Sequence, residues 1–163
     1  MHDEKIRIAG IESESITDGE GIRYVVFCQG CPHHCEGCHN PSSWDFNAGI
    51  EVSIKDIISQ IKQNDLLDGV TFSGGEPFMQ VKALIALSKL LKPRYNIWLY
   101  TGYLYEDIIN DKNKKSLLQY IDVLVDGPFI LSQRNLSLTF KGSNNQRIIN
   151  VPMSLTANEV ILK

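Results

Sequence analysis

Short, nearly continuous apolar runs alternate along this chain with stretches whose apolar positions recur every three or four residues. The first rhythm predicts buried strands, the second amphipathic helices. Residues 6–9 (IRIA) read as a short strand, and residues 10–21 as an irregular or hairpin connection turning at Asp18-Gly19. Residues 22–28 (IRYVVFC) form the first core strand. Within residues 52–65, Ile54, Ile57, Ile58 and Ile61 fall at i, i+3, i+4 and i+7, which predicts a helix with Ser53 as its cap. Residues 69–73 (GVTFS) predict a second buried strand, and Pro77 suits the first turn of a helix that runs to residue 92, before Pro93. Residues 96–101 predict a strand, 104–110 and 116–120 helical pieces, and 121–125 and 147–151 the last strands. Trp44, Trp98 and the helix leucines and isoleucines are assigned to the core, and Lys112-Asn113-Lys114-Lys115 to a solvated surface loop.

Strands alternating with helices argue for an α/β fold with a largely parallel sheet. A length of 163 residues suits one domain, residues 1–163, with a real core. The net charge of −3 gives no general attraction to nucleic acid or an anionic membrane. The opening MHDEKIRIAG lacks the apolar segment of a secretion signal, and no run approaches the ~18 apolar residues of a membrane span. A closed eight-stranded barrel needs roughly 250 residues. The expectation is therefore an incomplete, open (βα) barrel of about five or six mostly parallel strands. Its special sequences, FCQGCPHHCEGCHN, SGGEP, YTGY and VDGP, all fall just past strand carboxyl ends, where α/β folds gather ligands in one mouth.

All four cysteines, Cys28, Cys31, Cys35 and Cys38, lie in one eleven-residue window. Disulfides would be spread over a secreted chain, which this does not resemble. Two CxxC zinc knuckles lie some ~12–20 residues apart, whereas three residues separate them here. Such tight spacing is how a loop wraps an iron–sulfur cubane. Four thiolates would complete an electron-transfer cluster, and three would leave one iron open for chemistry. Spacing allows either Cys28, Cys31, Cys35 or Cys31, Cys35, Cys38, and Cys28 could equally be a buried strand residue.

The run Cys31-Pro32-His33-His34-Cys35-Glu36-Gly37-Cys38 is CxxxCxxC, which resembles the signature of radical S-adenosylmethionine enzymes. His39-Asn40 after it resembles the glycyl-radical activating branch. With Ser73-Gly74-Gly75-Glu76-Pro77, Tyr100-Thr101-Gly102-Tyr103, residues 122–127 (DVLVDG) and 141–147 (KGSNNQR), the likeness is to activating proteins of anaerobic (class III) ribonucleoside-triphosphate reductase. The resemblance implies a curved, half-closed sheet and a 4Fe-4S cluster on Cys31, Cys35 and Cys38, with Cys28 outside the ligand set. It also implies S-adenosyl-L-methionine chelating the open iron and being split reductively, so that its 5′-deoxyadenosyl radical takes hydrogen from a glycine Cα.

The resemblance, with the positions of residues at the strand ends, gives roles to individual residues. Ser73, Gly74 and Gly75 would face the methionyl group, the glycines allowing close backbone approach. Gly37, Cys38 and His39 would run along the adenine. Glu76 would orient the ammonium or cap the following helix. Asp126 would hold the ligand's cationic part or ribose, unless it is a turn-forming Asp-Gly pair. Tyr100, Thr101 and Tyr103 would line the pocket or serve as plain core at a strand end, and Asn145, Gln146 and Arg147 would contact the nucleoside or a partner, unless they are an ordinary polar loop before a strand. His33 and His34 are read as solvent-facing and His2 as a disordered terminus, with no histidine a metal ligand. The implied protein substrate is the large subunit of the anaerobic reductase, reached through the open side of the sheet. The reductive chemistry implies a low-potential electron donor such as flavodoxin, and the oxygen sensitivity of such a cluster implies a reducing cytoplasm. Three other readings are an activase for pyruvate formate-lyase, a four-cysteine electron-transfer protein and a zinc-stapled binding module.

Overall fold

The computed structural model describes residues 4–38 and 41–163. Its first strand, β1 (Lys5–Ser15), pairs antiparallel with β2 (Arg23–Cys28). The hairpin between them passes through Gly19 at φ +124°, where a Cβ would lie 2.8 Å from Arg23 Cδ and 2.9 Å from Trp98 Cδ2. Only glycine fits that backbone setting and that space. A four-residue strand, β3 (Ile50–Ser53), pairs with the other edge of β1. It leads into α1 (Ile54–Lys62), whose cap Ser53 accepts a hydrogen bond from the Lys55 amide at 3.2 Å. All four isoleucines of the predicted stripe are buried.

The remaining elements follow as β4 (Gly69–Gly74), a 3-10 turn (Pro77–Gln80), α2 (Val81–Leu91), β5 (Asn96–Tyr100), α3 (Tyr105–Ile109) and α4 (Lys112–Leu118). The chain closes with β6 (Val123–Asp126), β7 (Arg147–Asn150) and α5 (Val151–Ala157). These make one sheet in the order β3-β1-β2-β4-β5-β6-β7. The β2–β4, β4–β5 and β5–β6 pairs are parallel, while β1–β2, β1–β3 and β6–β7 are antiparallel. Among the described residues, five of the seven strands therefore point one way, and β1 and β7 run against them. Strands β3 and β7 stand at opposite ends of that order, so the sheet is open.

The predicted α/β architecture holds, with seven strands among the described residues in place of five or six. The difference lies at the edge: β1 is longer than its apolar run, and β3 is too short to show a period against the helix it precedes. A second correction concerns Lys112-Asn113-Lys114-Lys115, which begins α4 and is not a loop. Asp111 caps it by accepting from the Lys114 amide at 3.1 Å, and Leu117 and Leu118 anchor it. Helix α5 was not anticipated, although Asn150 caps it and Pro152 sits in its first turn. Among the described residues no helix is long and apolar enough to cross a membrane.

The strand pleat divides the interior. Tyr24, Val26, Val70, Phe72, Leu99 and Leu124 share one buried cluster with α1, α2 and α4. The alternate residues Trp98, Val123 and Val125 form a second cluster with Tyr100, Phe140 and Ile148 on the opposite face. On that inner face the buried Arg23 guanidinium donates to Thr71 Oγ1 (2.8 Å), Val70 O (2.9 Å), Asn96 O (2.8 Å) and Glu20 O (2.9 Å). Burial lowers its pKa to about 10. Arg23 and Asn96 begin their strands, so this network closes the end of the sheet opposite the mouth.

Candidate functional site

Strands β2, β4, β5 and β6 end at Cys28, Gly74, Tyr100 and Asp126, and each sequence-predicted motif begins there. The GGE segment lies directly against the start of the cysteine loop. Gly75 N donates to Cys28 O at 2.7 Å, and Glu76 N to Gly30 O at 2.8 Å. A Cβ on Gly74 (φ +92°) would stand 2.5 Å from Cys28 N, and one on Gly75 2.4 Å from Gly30 O. These two glycines thus let one backbone pack on another, a use that the sequence reading did not include.

Cys31, Cys35 and Cys38 line a single cavity of ≈ 130 Å³, together with Gly74, Gly75 and Thr101. Cys31 is buried, with its thiol pKa raised chiefly by that burial, while Cys35 and Cys38 are half-buried. Cys28 stands apart. It is fully buried in the helix-side core cluster, and burial pushes its thiol pKa far up. A second cavity of ≈ 450 Å³ adjoins on the inner face, sharing Cys38, Gly74, Tyr100, Phe129 and Gln146 with the first and adding Ser73. That volume is in the range of about 300–1,000 Å³ usual for small-molecule sites.

Among the described residues, no three His, Cys, Asp or Glu side chains converge as a ready site for one metal ion. A cubane asks for something different, because each thiolate binds its own iron at a separate corner and the sulfurs stay apart. A further feature suits such a group. Trp44 lines the cysteine cavity, and its buried Nε1 has no hydrogen-bond partner among the described residues. The sulfur atoms of a cluster would accept from it. The indole is held by backbone, with Cys31 N donating to Trp44 O at 3.1 Å, and by stacking of His34 at 4.5 Å and 9°. Sequence reading placed Trp44 in the core, and only its nearness in the chain to Cys38 hinted at more.

Glu76 is fully buried, and both its oxygens are committed to protein. Oε2 accepts from Phe78 N at 3.0 Å and so caps the 3-10 turn. Oε1 accepts from Gly102 N at 2.8 Å and from His33 Nε2 at 2.7 Å, and Thr101 Oγ1 donates to both oxygens. Of the two roles expected for Glu76, capping is the one this geometry supports. His33 is a correction: it turns inward to Glu76 and meets Tyr103 edge-on at 4.5 Å, whereas His34 is exposed as expected.

Asp126 also departs from expectation. It is fully buried, accepts from Arg147 Nε at 3.0 Å and from Tyr105 N at 2.8 Å, and does not face the mouth. The next residues continue the β6–β7 ladder through side chains. Gln146 Nε2 donates to Gly127 O at 3.1 Å, and Asn145 Nδ2 to Pro128 O at 2.8 Å. Asn145, Gln146 and Arg147 therefore staple the VDGP loop, and of the three Gln146 lines the cavities. Gly37 is exposed at φ +75°, where a Cβ would strike Leu131. His39 and His2 lie outside the described residues.

Residues 17–149 match the family described as a 4Fe-4S single cluster domain. The chain is 41% identical over 144 residues to the anaerobic ribonucleoside-triphosphate reductase-activating protein of Haemophilus influenzae, covering 82% of this chain and 90% of that protein. It is 34% identical over 142 residues to the protein of the same name from Escherichia coli, covering 80% and 90%. A looser likeness, TM-score 0.46 at 20% identity over 60% of this chain and 53% of the other, is to the crystal structure of QueE from Escherichia coli.

Proposed function

The chain belongs to the anaerobic ribonucleoside-triphosphate reductase-activating proteins, and we propose that it activates its reductase as a radical S-adenosylmethionine enzyme formed by residues 1–163. Cys31, Cys35 and Cys38 hold the 4Fe-4S cluster and leave one iron for S-adenosyl-L-methionine. The observation that carries this reading is the segregation of thiols: these three line one cavity at the strand ends, and Cys28 is sealed in the core behind the sheet. When bound, the cluster and S-adenosylmethionine would supply reductive one-electron cleavage, the chemistry needed to remove hydrogen from a glycine Cα.

The chain's own residues orient and shield. The backbone of Ser73, Gly74 and Gly75 faces the methionyl end, and that of Gly37 and Cys38 the adenine. Glu76, Asp126 and Asn145 serve the cofactor from behind, Glu76 by fixing the loops that touch it and the other two by holding the VDGP loop in place. Tyr100 and Phe129 line both cavities. The open side of the sheet admits the glycine-bearing segment of the reductase large subunit. A flavodoxin supplies the electron, and the protein works in a reducing cytoplasm.

The test is anaerobic reconstitution with iron and sulfide, followed by dithionite and S-adenosylmethionine. The reading predicts 5′-deoxyadenosine from the protein alone and a glycyl radical signal once the reductase is added. Iron-loaded protein that leaves S-adenosylmethionine intact would refute it.

A further inference from the structure

We propose that His33 is a positioning residue that clamps the cysteine loop to Glu76, and that position 102 is glycine to make room for its ring. The inference rests on the reading that this loop carries the cluster. His33 lies between Cys31 and Cys35, so fixing its ring fixes the path of the loop between those two thiols. A carboxylate accepts, so Nε2–H is the donor to Glu76 Oε1 at 2.7 Å. The same oxygen accepts from Gly102 N, and Tyr103 closes over the ring edge. One buried carboxylate thereby joins three motifs that are far apart in sequence: the cysteine loop, GGEP and YTGY.

Gly102 supplies independent support. Its φ lies outside the left-handed region, so the backbone does not require glycine there. A Cβ would instead stand 2.6 Å from His33 Cδ2 and 2.8 Å from Nε2, closer than the ring can tolerate. The missing side chain is a slot for the imidazole. This predicts a specific coupling: Gly102→Ala should act by expelling the ring, and should do nothing further once the ring is gone.

Hydrogen exchange of the metal-free protein reads the clamp without a cluster. The reporters are the Cys31 and Cys38 amides, which bond to Trp44 O and Cys35 O. His33→Ala and Gly102→Ala should each speed their exchange by about tenfold. The double variant should match His33→Ala, and His33→Gln, which keeps a donor of similar reach, should recover most of the protection. Additive single effects, no acceleration in His33→Ala, or no rescue by His33→Gln would each overturn the clamp. Iron uptake by the unaltered protein is measured beside it. If no cluster forms, the cluster reading fails while the exchange data still decide the clamp.

Discussion

The two faces of the central strands β2, β4, β5 and β6 carry different kinds of information. Toward the helices they present Val26, Phe72, Leu99 and Leu124, packed on α1, α2 and α4 with no polar group among these four. Toward the inside they present Arg23, Thr71, Ser73 and Tyr100, with a hydrogen-bonded floor at one end and thiol-lined cavities at the other. The outer face only holds the fold, whereas the inner face holds it at the Arg23 floor and the Trp98 cluster and opens to the cavities at the strand ends. At those carboxyl ends, a residue's parity predicts whether a substitution damages packing or the site.

The four cysteines offer the sharpest way to break this division, because they straddle it. Cys31→Ser, Cys35→Ser and Cys38→Ser should each abolish S-adenosylmethionine cleavage. Cys28→Ser, on the helix side, should keep most of the activity per cluster and lose stability, since it places a hydroxyl in an apolar site. A Cys28→Ser protein as inactive as the others at equal iron content would erase the distinction.

Phe72→Ala probes the helix side alone. It should cost about 3–5 kcal/mol in urea unfolding while leaving the activity of the folded fraction intact. Arg23→Met probes the inner floor. It leaves Thr71 and the Val70 and Asn96 carbonyls without their donor, for a loss of about 2–3 kcal/mol by the same measurement. An unchanged midpoint would mean that the floor contributes nothing to the fold.

The smallest effect is expected at the surface, where Arg147 hydrogen bonds hold the Glu106 pKa below its ordinary value. A depressed carboxylate stabilises above its unfolded pKa, and that contribution is lost as pH falls through the folded one. Glu106→Gln should therefore lower stability by less than about 1 kcal/mol near neutral pH. The gap to the parent protein should close in acid below pH 4.5, the ordinary value, which paired thermal melts would detect.

The helix-side face was legible because burial without polar partners leaves a period: the α1 isoleucines and the β2 and β4 runs fell where the pattern put them. Strand β3 and helix α5 were not, being four and seven residues long and held by pairing and caps. The site was legible as motifs at strand ends, and its wiring was not. Nothing in the order of residues says that Glu76 would turn from a ligand toward His33 and Gly102, or that Asp126 would be taken by Arg147. Those are contacts between segments 21 to 43 residues apart, fixed only when the sheet brings the loops to one mouth.

The most direct measurement is electron–nuclear double resonance on the anaerobically reduced, cluster-loaded protein with S-adenosylmethionine labelled with ¹⁵N and ¹⁷O in its amino acid portion. Three thiol anchors and one free iron predict resolved couplings from both labels and a changed cluster signal on addition. A signal indifferent to the labelled compound, with a fourth thiolate on the cluster, would contradict the account.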